Sequence, residues 1–133
     1  MKKIVITGGL GYIGTELCKI YSGYSWNDNI TVIDNRFISE RVNQIRNWNM
    51  SFVHGDILDK ELIKKHCKDA DVVHHLAGIT DVPRVRSEVK SHSDKLINQV
   101  AQEGTQNILD VISDKCKIIM PSSHVVYEGL ESI

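Results

Sequence analysis

The chain has 133 residues, with 16 Lys and Arg against 17 Asp and Glu, and its formal net charge is -1. This length suits one domain. With 41% hydrophobic and 25% charged residues the composition is that of an ordinary globular protein, and the near-neutral charge gives no electrostatic basis for binding nucleic acid or an anionic membrane. We therefore expect small-molecule partners.

The first element is an apolar run from Lys3 that breaks into glycines at positions 8, 9, 11 and 14. The spacing fits G-x-G-x-x-G from Gly9 and G-x-x-G-x-x-G from Gly8, which predicts a strand, a tight turn and a helix that begins near Tyr12. The amides and the positive end of that helix favour a pyrophosphate. The pattern alone is weak evidence, because glycine-rich turns also occur where nothing binds.

A second predicted strand runs from Ile30 to Asp34 and ends in an acid 20 residues after Gly14. In a Rossmann unit this acid accepts hydrogen bonds from the adenosine ribose and repels a 2′-phosphate, so NAD is preferred over NADP. Two alternatives stay open. Asp34 could be an ordinary turn residue or helix N-cap, and Arg36 is the residue type that NADP enzymes use just past this strand.

The rest of the chain alternates between strand and helix patterns. Helices are predicted over 13–21, 36–48, 60–68 and 84–113, and further strands over 50–56, 71–78 and 117–123. This alternation predicts an α/β fold, a Rossmann-type doubly wound parallel sheet of order 3-2-1-4-5 over residues 1–133, truncated after the fifth strand. The ligand crevice would lie between the first and fourth strands.

Cysteine and histidine patterns indicate the compartment and argue against a metal. Cys18, Cys67 and Cys116 form no C-x-x-C, and the six histidines form no H-x-x-x-H, so we expect free thiols, a cytoplasmic location and no metal site. The apolar run after Met1 ends at Thr7, too early for a signal peptide or a membrane span.

Several ordered blocks resemble the extended short-chain dehydrogenases/reductases, which include nucleotide-sugar epimerases and dehydratases. The blocks are Thr-Gly-Gly-Leu-Gly-Tyr-Ile-Gly at 7–14, Val-Ile-Asp-Asn at 32–35, Gly-Asp-Ile-Leu-Asp at 55–59, His-Leu-Ala-Gly at 75–78, Gly-Thr at 104–105, and Pro-Ser-Ser-His-Val-Val-Tyr at 121–127. The resemblance covers essentially the whole chain.

The resemblance implies a role for each part of the sheet edge. It assigns Gly8, Gly11, Tyr12, Ile13 and Gly14 to the pyrophosphate, Asp34 and Asn35 to the adenosine ribose, Asp56 and Ile57 to adenine, Leu76, Ala77 and Gly78 to the nicotinamide ribose, Ser122 to the surroundings of the nicotinamide, and Ser123 to catalysis. Structural alternatives remain: the Gly-Asp block at 55–56 suits a turn and helix cap, Ala-Gly suits a close-packed turn, and the two serines suit capping.

One part of the family pattern is missing. The family's base belongs to a Tyr-x-x-x-Lys pair, and Tyr12, Tyr21, Tyr24 and Tyr127 all lack a lysine four residues on. We therefore expect the NAD-binding part of an enzyme that acts by transient hydride transfer at a hydroxyl of a nucleotide sugar, inactive as this 133-residue chain.

Two other functions remain open. The chain could be a non-catalytic NAD(H)-binding or regulatory module, or a flavodoxin-like nucleotide-binding domain that does not use NAD. The resemblance also implies a homodimer through the predicted helix 84–113.

Overall fold

The computed structural model describes residues 1–24, 28–79 and 94–122. Within these ranges strands and helices alternate. They are β1 (Lys3–Thr7), α1 (Tyr12–Tyr24), β2 (Asn29–Asp34), α2 (Ser39–Asn47), β3 (Ser51–His54), α3 (Lys60–Cys67), β4 (Val72–His75), α4 (Asp94–Gln99), a π-helical segment (Val100–Gly104), α5 (Thr105–Leu109) and β5 (Lys117–Ile119).

The five strands form one parallel sheet of order β3-β2-β1-β4-β5, which confirms the predicted topology. The register aligns the carboxyl ends of the central strands: Thr7 pairs with Ile33 on β2 and with His75 on β4, and Asp34 pairs with His54 on β3. The order reverses at β1, so β1 and β4 flank the point where a Rossmann-type sheet opens a crevice for its ligand.

Two apolar cores cover the two faces of the sheet. Successive residues of β1 point to opposite faces, so Ile4 and Ile6 join one core while Val5 joins the other. The first core packs beneath α1 and α2 and contains Ile4, Ile6, Leu10, Cys18, Ile30, Val32, Val42, Ile45 and Met50. The second packs beneath α3 and α5 and contains Val5, Ile33, Ile57, Ile63, Cys67, Ala70, Val73 and Ile108. Each large aliphatic side chain buried in this way contributes about 1.5–3 kcal/mol.

The face that helix α1 turns to the sheet matches its apolar spacing only in part. Ile13 and Ile20 belong to the apolar set that predicted this helix, yet both are exposed. The residues that α1 buries are Gly14 and Cys18. Small side chains let a helix lie close to its sheet. Leu17 and Tyr21 are partly buried and pack against the first core, while Ile13 and Ile20 are left on the outer side.

The long predicted helix 84–113 differs from the described structure in extent. Residues 84–93 lie outside the described residues, and the helical backbone from Asp94 ends at Leu109 rather than at 113. At this end Val111 N–H bonds the carbonyl of Ile108, a tighter i to i−3 bond that closes the last turn.

The three cysteines are all within the described residues, and all are free thiols, as expected. Burial raises the pKa of the Cys18 thiol to about 12 and that of Cys67 to about 11. Among the described helices, none combines the length and apolar character needed to span a bilayer.

Candidate cofactor-binding site

The turn after β1 requires glycine at its first position. Gly8 has φ of +70°, a conformation that L side chains rarely adopt. A Cβ atom built there would lie 2.7 Å from both Cα and N of Ala77. Its amide donates to the carbonyl of Ile33 at 2.7 Å. Gly8 thus brings the turn after β1 against the backbone of the segment that follows β4.

The start of α1 rests directly on this turn. A Cβ atom on Gly14 would lie 2.6 Å from the Gly8 carbonyl oxygen and 2.6 Å from Gly9 Cα. The amide of Gly11 donates to the Gly8 carbonyl at 3.1 Å, and the hydroxyl of Thr15 donates to the Gly11 carbonyl at 2.7 Å. These contacts make the turn and the first turn of the helix one compact unit.

Tyr12 and Ile13 are the first residues of α1, and their side chains are 80% and 67% exposed. Helix geometry leaves their first-turn amides without an intrahelical acceptor, and the helix dipole makes this end positive. Arg41 of α2 borders the same end: its guanidinium donates to the carbonyl of Leu10 and lies 5.4 Å from the centre of the Tyr12 ring. The arrangement suits an anionic group such as a pyrophosphate.

Asp34 is buried at the end of β2, and its carboxylate holds the glycine turn. Its Oδ2 accepts from the amide of Leu10 at 3.0 Å. Its Oδ1 accepts from the backbone amide of Arg36 at 2.9 Å and from the Arg36 Nε at 3.3 Å. The predicted ribose contact and the predicted phosphate-binding turn are therefore joined by a direct hydrogen bond.

Asn35 and Asp56 lie farther along the same edge, and both are exposed. The carbonyl of Asn35 accepts from His54 Nε2 at 2.9 Å. The Asp56 Oδ1 accepts from the Leu58 amide at 2.9 Å. This local turn matches the structural alternative for Asp56, while Asp59 is the residue that caps α3.

Ile57 is buried rather than open to solvent. Its carbonyl accepts from the side-chain amide of Asn107 at 3.0 Å. A Cβ atom on Gly104 would lie 2.3 Å from Ile57 Cδ1, so the helix passes tightly over this side chain. Ile57 is therefore anchored by two residues of the helical segment 94–109.

A buried polar chain supports the segment after β4. Thr7 Oγ1 lies 2.8 Å from His75 Nδ1, and His75 Nε2 lies 3.0 Å from Thr105 Oγ1. The hydroxyl of Thr7 also accepts from the Ala77 amide at 3.2 Å, and the Thr7 carbonyl accepts from the Leu76 amide at 3.1 Å. Burial lowers the pKa of His75 and favours the neutral ring.

The remaining predicted site residues that are described follow the ends of β4 and β5. Gly78 is exposed after β4, and a Cβ atom there would meet nothing within 4 Å. Ser122 is exposed, three residues after the end of β5. Ser123, the predicted catalytic serine, and Tyr127 lie outside the described residues. The part of the site that is described thus follows the carboxyl ends of β1, β2, β3 and β4, with Ser122 after β5.

Comparison with known proteins finds a family and relatives that are longer than this chain. Residues 5–129 match the model of the 3-beta hydroxysteroid dehydrogenase/isomerase family. UDP-N-acetyl-alpha-D-glucosaminuronate decarboxylase of Bacillus cytotoxicus is 30% identical over 132 residues, which cover 95% of this chain and 38% of that protein. The chain spans less than half the length of the curated relatives that it matches.

Solved structures share the fold. UDP-N-acetylglucosamine 4-epimerase from Methanobrevibacter ruminantium is 27% identical with a TM-score of 0.73, and the match covers 98% of this chain and 42% of that one. A dTDP-glucose 4,6-dehydratase from Bacillus anthracis, solved in complex with NAD, is 22% identical with a TM-score of 0.71, and the match covers 100% of this chain and 41% of that one.

Proposed function

Because the chain belongs to the 3-beta hydroxysteroid dehydrogenase/isomerase family, we propose that it binds NAD along the carboxyl edge of its sheet. Its epimerase and decarboxylase relatives agree with the resemblance to the extended short-chain dehydrogenases/reductases. The observation that carries the proposal is the 3.0 Å hydrogen bond from the Leu10 amide to Asp34 Oδ2. It couples an acceptor for ribose hydroxyls to a glycine turn that is shaped for phosphate.

The residues present fit this cofactor. Pyrophosphate would contact the first-turn amides of Tyr12 and Ile13, where no Cβ of Gly11 intervenes. The adenosine ribose would lie against Asp34 and Asn35, and adenine near Asp56 and the backbone of Ile57. The nicotinamide ribose would lie over residues 76–78, with Ser122 at the far side.

We propose that the whole protein acts on a nucleotide sugar, as do the relatives whose names state a sugar nucleotide. NAD, when bound, supplies the hydride acceptor for oxidation at a sugar hydroxyl. In this chain the group proposed to bond that hydroxyl is Ser123. The 133 residues contain no Tyr-x-x-x-Lys pair, and loss of a positioned base costs about 10²–10⁴-fold in rate. We therefore propose that this polypeptide alone binds NAD without turnover.

The missing pair also favours a second candidate, a non-catalytic NAD(H)-binding or regulatory module. Both functions predict that this chain binds NAD(H). They differ in activity: if the protein is the enzyme, a polypeptide that also contains a Tyr-x-x-x-Lys segment turns over its substrate, and if it is the binding module, it does not. A dimer through residues 84–113 and a cytoplasmic location, which the free thiols favour, belong to both proposals.

Binding is tested by titrating the 133-residue chain with NADH and following nucleotide fluorescence, with calorimetry as a second measurement. Asp34→Asn keeps an oxygen that can accept from Leu10 but removes the charge, and we expect NADH binding to weaken about 10–100-fold, the value of a charged hydrogen bond. Asp69→Asn, an exposed acid just after α3, is the matched control and should leave NADH affinity unchanged. Equal effects of the two substitutions, or no NADH binding by the parent chain, would overturn the proposal.

A further inference from the structure

The ion pair between Arg36 and Asp34 occupies the place where the adenosine ribose is proposed to bind. Arg36 Nε lies 3.3 Å from Asp34 Oδ1, with the Arg36 side chain 55% exposed and the Asp34 side chain 4% exposed. The Asp34 carboxylate is buried, and the exposed Arg36 guanidinium contacts it from the solvent side.

The hydrogen-bond donors around Asp34 leave few acceptor sites of its carboxylate free for a ligand. A carboxylate has about four lone-pair sites, two on each oxygen. Oδ1 receives both the backbone amide and Nε of Arg36, and Oδ2 receives the Leu10 amide. A ribose diol that uses both oxygens must therefore displace Nε of Arg36, and the negative charge that would repel a 2′-phosphate is already paired.

The guanidinium also extends over the glycine turn. Arg36 Nη2 would lie 3.7 Å from a Cβ atom built on Gly11. Arg41 contributes a second guanidinium at the same turn, which is bound to the Leu10 carbonyl and lies over the Tyr12 ring. Two arginines and one carboxylate therefore give this corner of the site a net positive charge.

We propose that Arg36 is a specificity-determining residue that allows the site to hold a 2′-phosphate, so that the chain binds NADP(H) as well as NAD(H). The inference rests on the proposed function. Arginine presents paired N–H groups that match a phosphate, and the Nη groups of this exposed side chain can turn to the ligand while Nε stays on Asp34. In the sequence, Asp34 alone predicts exclusion of the 2′-phosphate; the ion pair removes the charge on which that exclusion depends.

The test compares ligands that differ only in the 2′-phosphate: NADPH with NADH, and adenosine 2′,5′-bisphosphate with AMP, titrated into the 133-residue chain by calorimetry. We expect the parent chain to bind the members of each pair within about tenfold of each other. An unpaired carboxylate would instead separate them by about a hundredfold or more.

Arg36→Leu should weaken NADPH binding about 10–100-fold, since it removes a charge-assisted contact, and should leave NADH binding unchanged or tighter. Arg36→Gln, which keeps a polar side chain, should give the same pattern and serves if the leucine variant folds poorly. Arg46→Leu, an exposed arginine in the last turn of α2, is the matched control and should change neither affinity.

The outcomes separate the two proposals. NADH binding with NADPH a hundredfold weaker in the parent chain overturns the role of Arg36 and leaves the proposed function standing. Equal losses of NADPH binding in the Arg36 and Arg46 variants also overturn it, since the effect would then be one of general charge. Failure to bind either dinucleotide overturns the proposed function itself.

Discussion

Thr7 and His75 face each other across the centre of the sheet, with Thr7 Oγ1 2.8 Å from His75 Nδ1. The two residues are register partners at the carboxyl ends of β1 and β4, and both are buried. A neutral imidazole has one N–H donor and one acceptor, so His75 donates to one of its two threonine partners and accepts from the other. The pair therefore links the proposed cofactor edge to Thr105 in the helix above it.

Replacing Thr105 with Val removes the hydroxyl that pairs with His75 Nε2. The buried ring nitrogen loses its partner, and we expect a loss of about 1–3 kcal/mol in the free energy of unfolding, measured by urea denaturation. Thr31→Val is the control, because Thr31 is a buried threonine for which no side-chain hydrogen bond is seen among the described residues. A loss in the control as large as that in the Thr105 variant would contradict the role of this hydrogen bond.

Acid should destabilise the chain through its buried imidazoles. Burial lowers the pKa of His74 and of His75 below the ordinary 6.5, so the unfolded chain takes up protons first as the pH falls. The stability that these groups contribute is complete above pH of about 6.5 and is lost as the pH drops through the folded-state pKa values. Urea denaturation between pH 7.5 and 5 measures this slope. His75→Leu should reduce the slope, and an unchanged slope would show that His75 does not contribute to it.

Gly8→Ala should be strongly destabilising because it combines a left-handed backbone with a clash. The alanine Cβ would lie 2.7 Å from the Ala77 backbone, and overpacking of this kind costs about 1–3 kcal/mol or more. Gly23→Ala provides the contrast, since Gly23 is in α1 and a Cβ there meets nothing within 4 Å. We expect that change to stabilise by about 0.5–1 kcal/mol. Thermal unfolding of the two variants compares them directly.

Much of the fold could be predicted because it depends on patterns of residues that are close in the sequence. The buried run of β1, the glycines that follow it and the acid at the end of β2 lie close together in the sequence, and alternation of strands and helices leaves few possible topologies. The element bounds were less accurate. The inward face of α1 depends on the small residues Gly14 and Cys18, and apolar spacing does not distinguish them from the exposed Ile13 and Ile20.

The contacts that complete the site depend on tertiary packing. His75 meets Thr105 from 30 positions away, and Asn107 reaches the Ile57 carbonyl from 50. No periodicity or spacing rule connects such residues. The ion pair of Arg36 with Asp34 is local, and the sequence shows the arginine two residues after the acid. The rotamer of a long exposed side chain nevertheless follows from its surroundings and not from this spacing.

A substitution at Gly78 should change the affinity for the ligand without changing the stability of the fold. It is exposed, and a Cβ atom at this position would meet open space. We therefore expect Gly78→Val to change the free energy of unfolding by no more than about 0.5 kcal/mol. If the nicotinamide ribose lies over residues 76–78, the added isopropyl group projects into its place, and NADH affinity should fall about tenfold or more while ADP, which has no nicotinamide half, binds as before. Equal weakening of NADH and ADP would place the effect elsewhere in the site, and unchanged NADH binding would remove residue 78 from it.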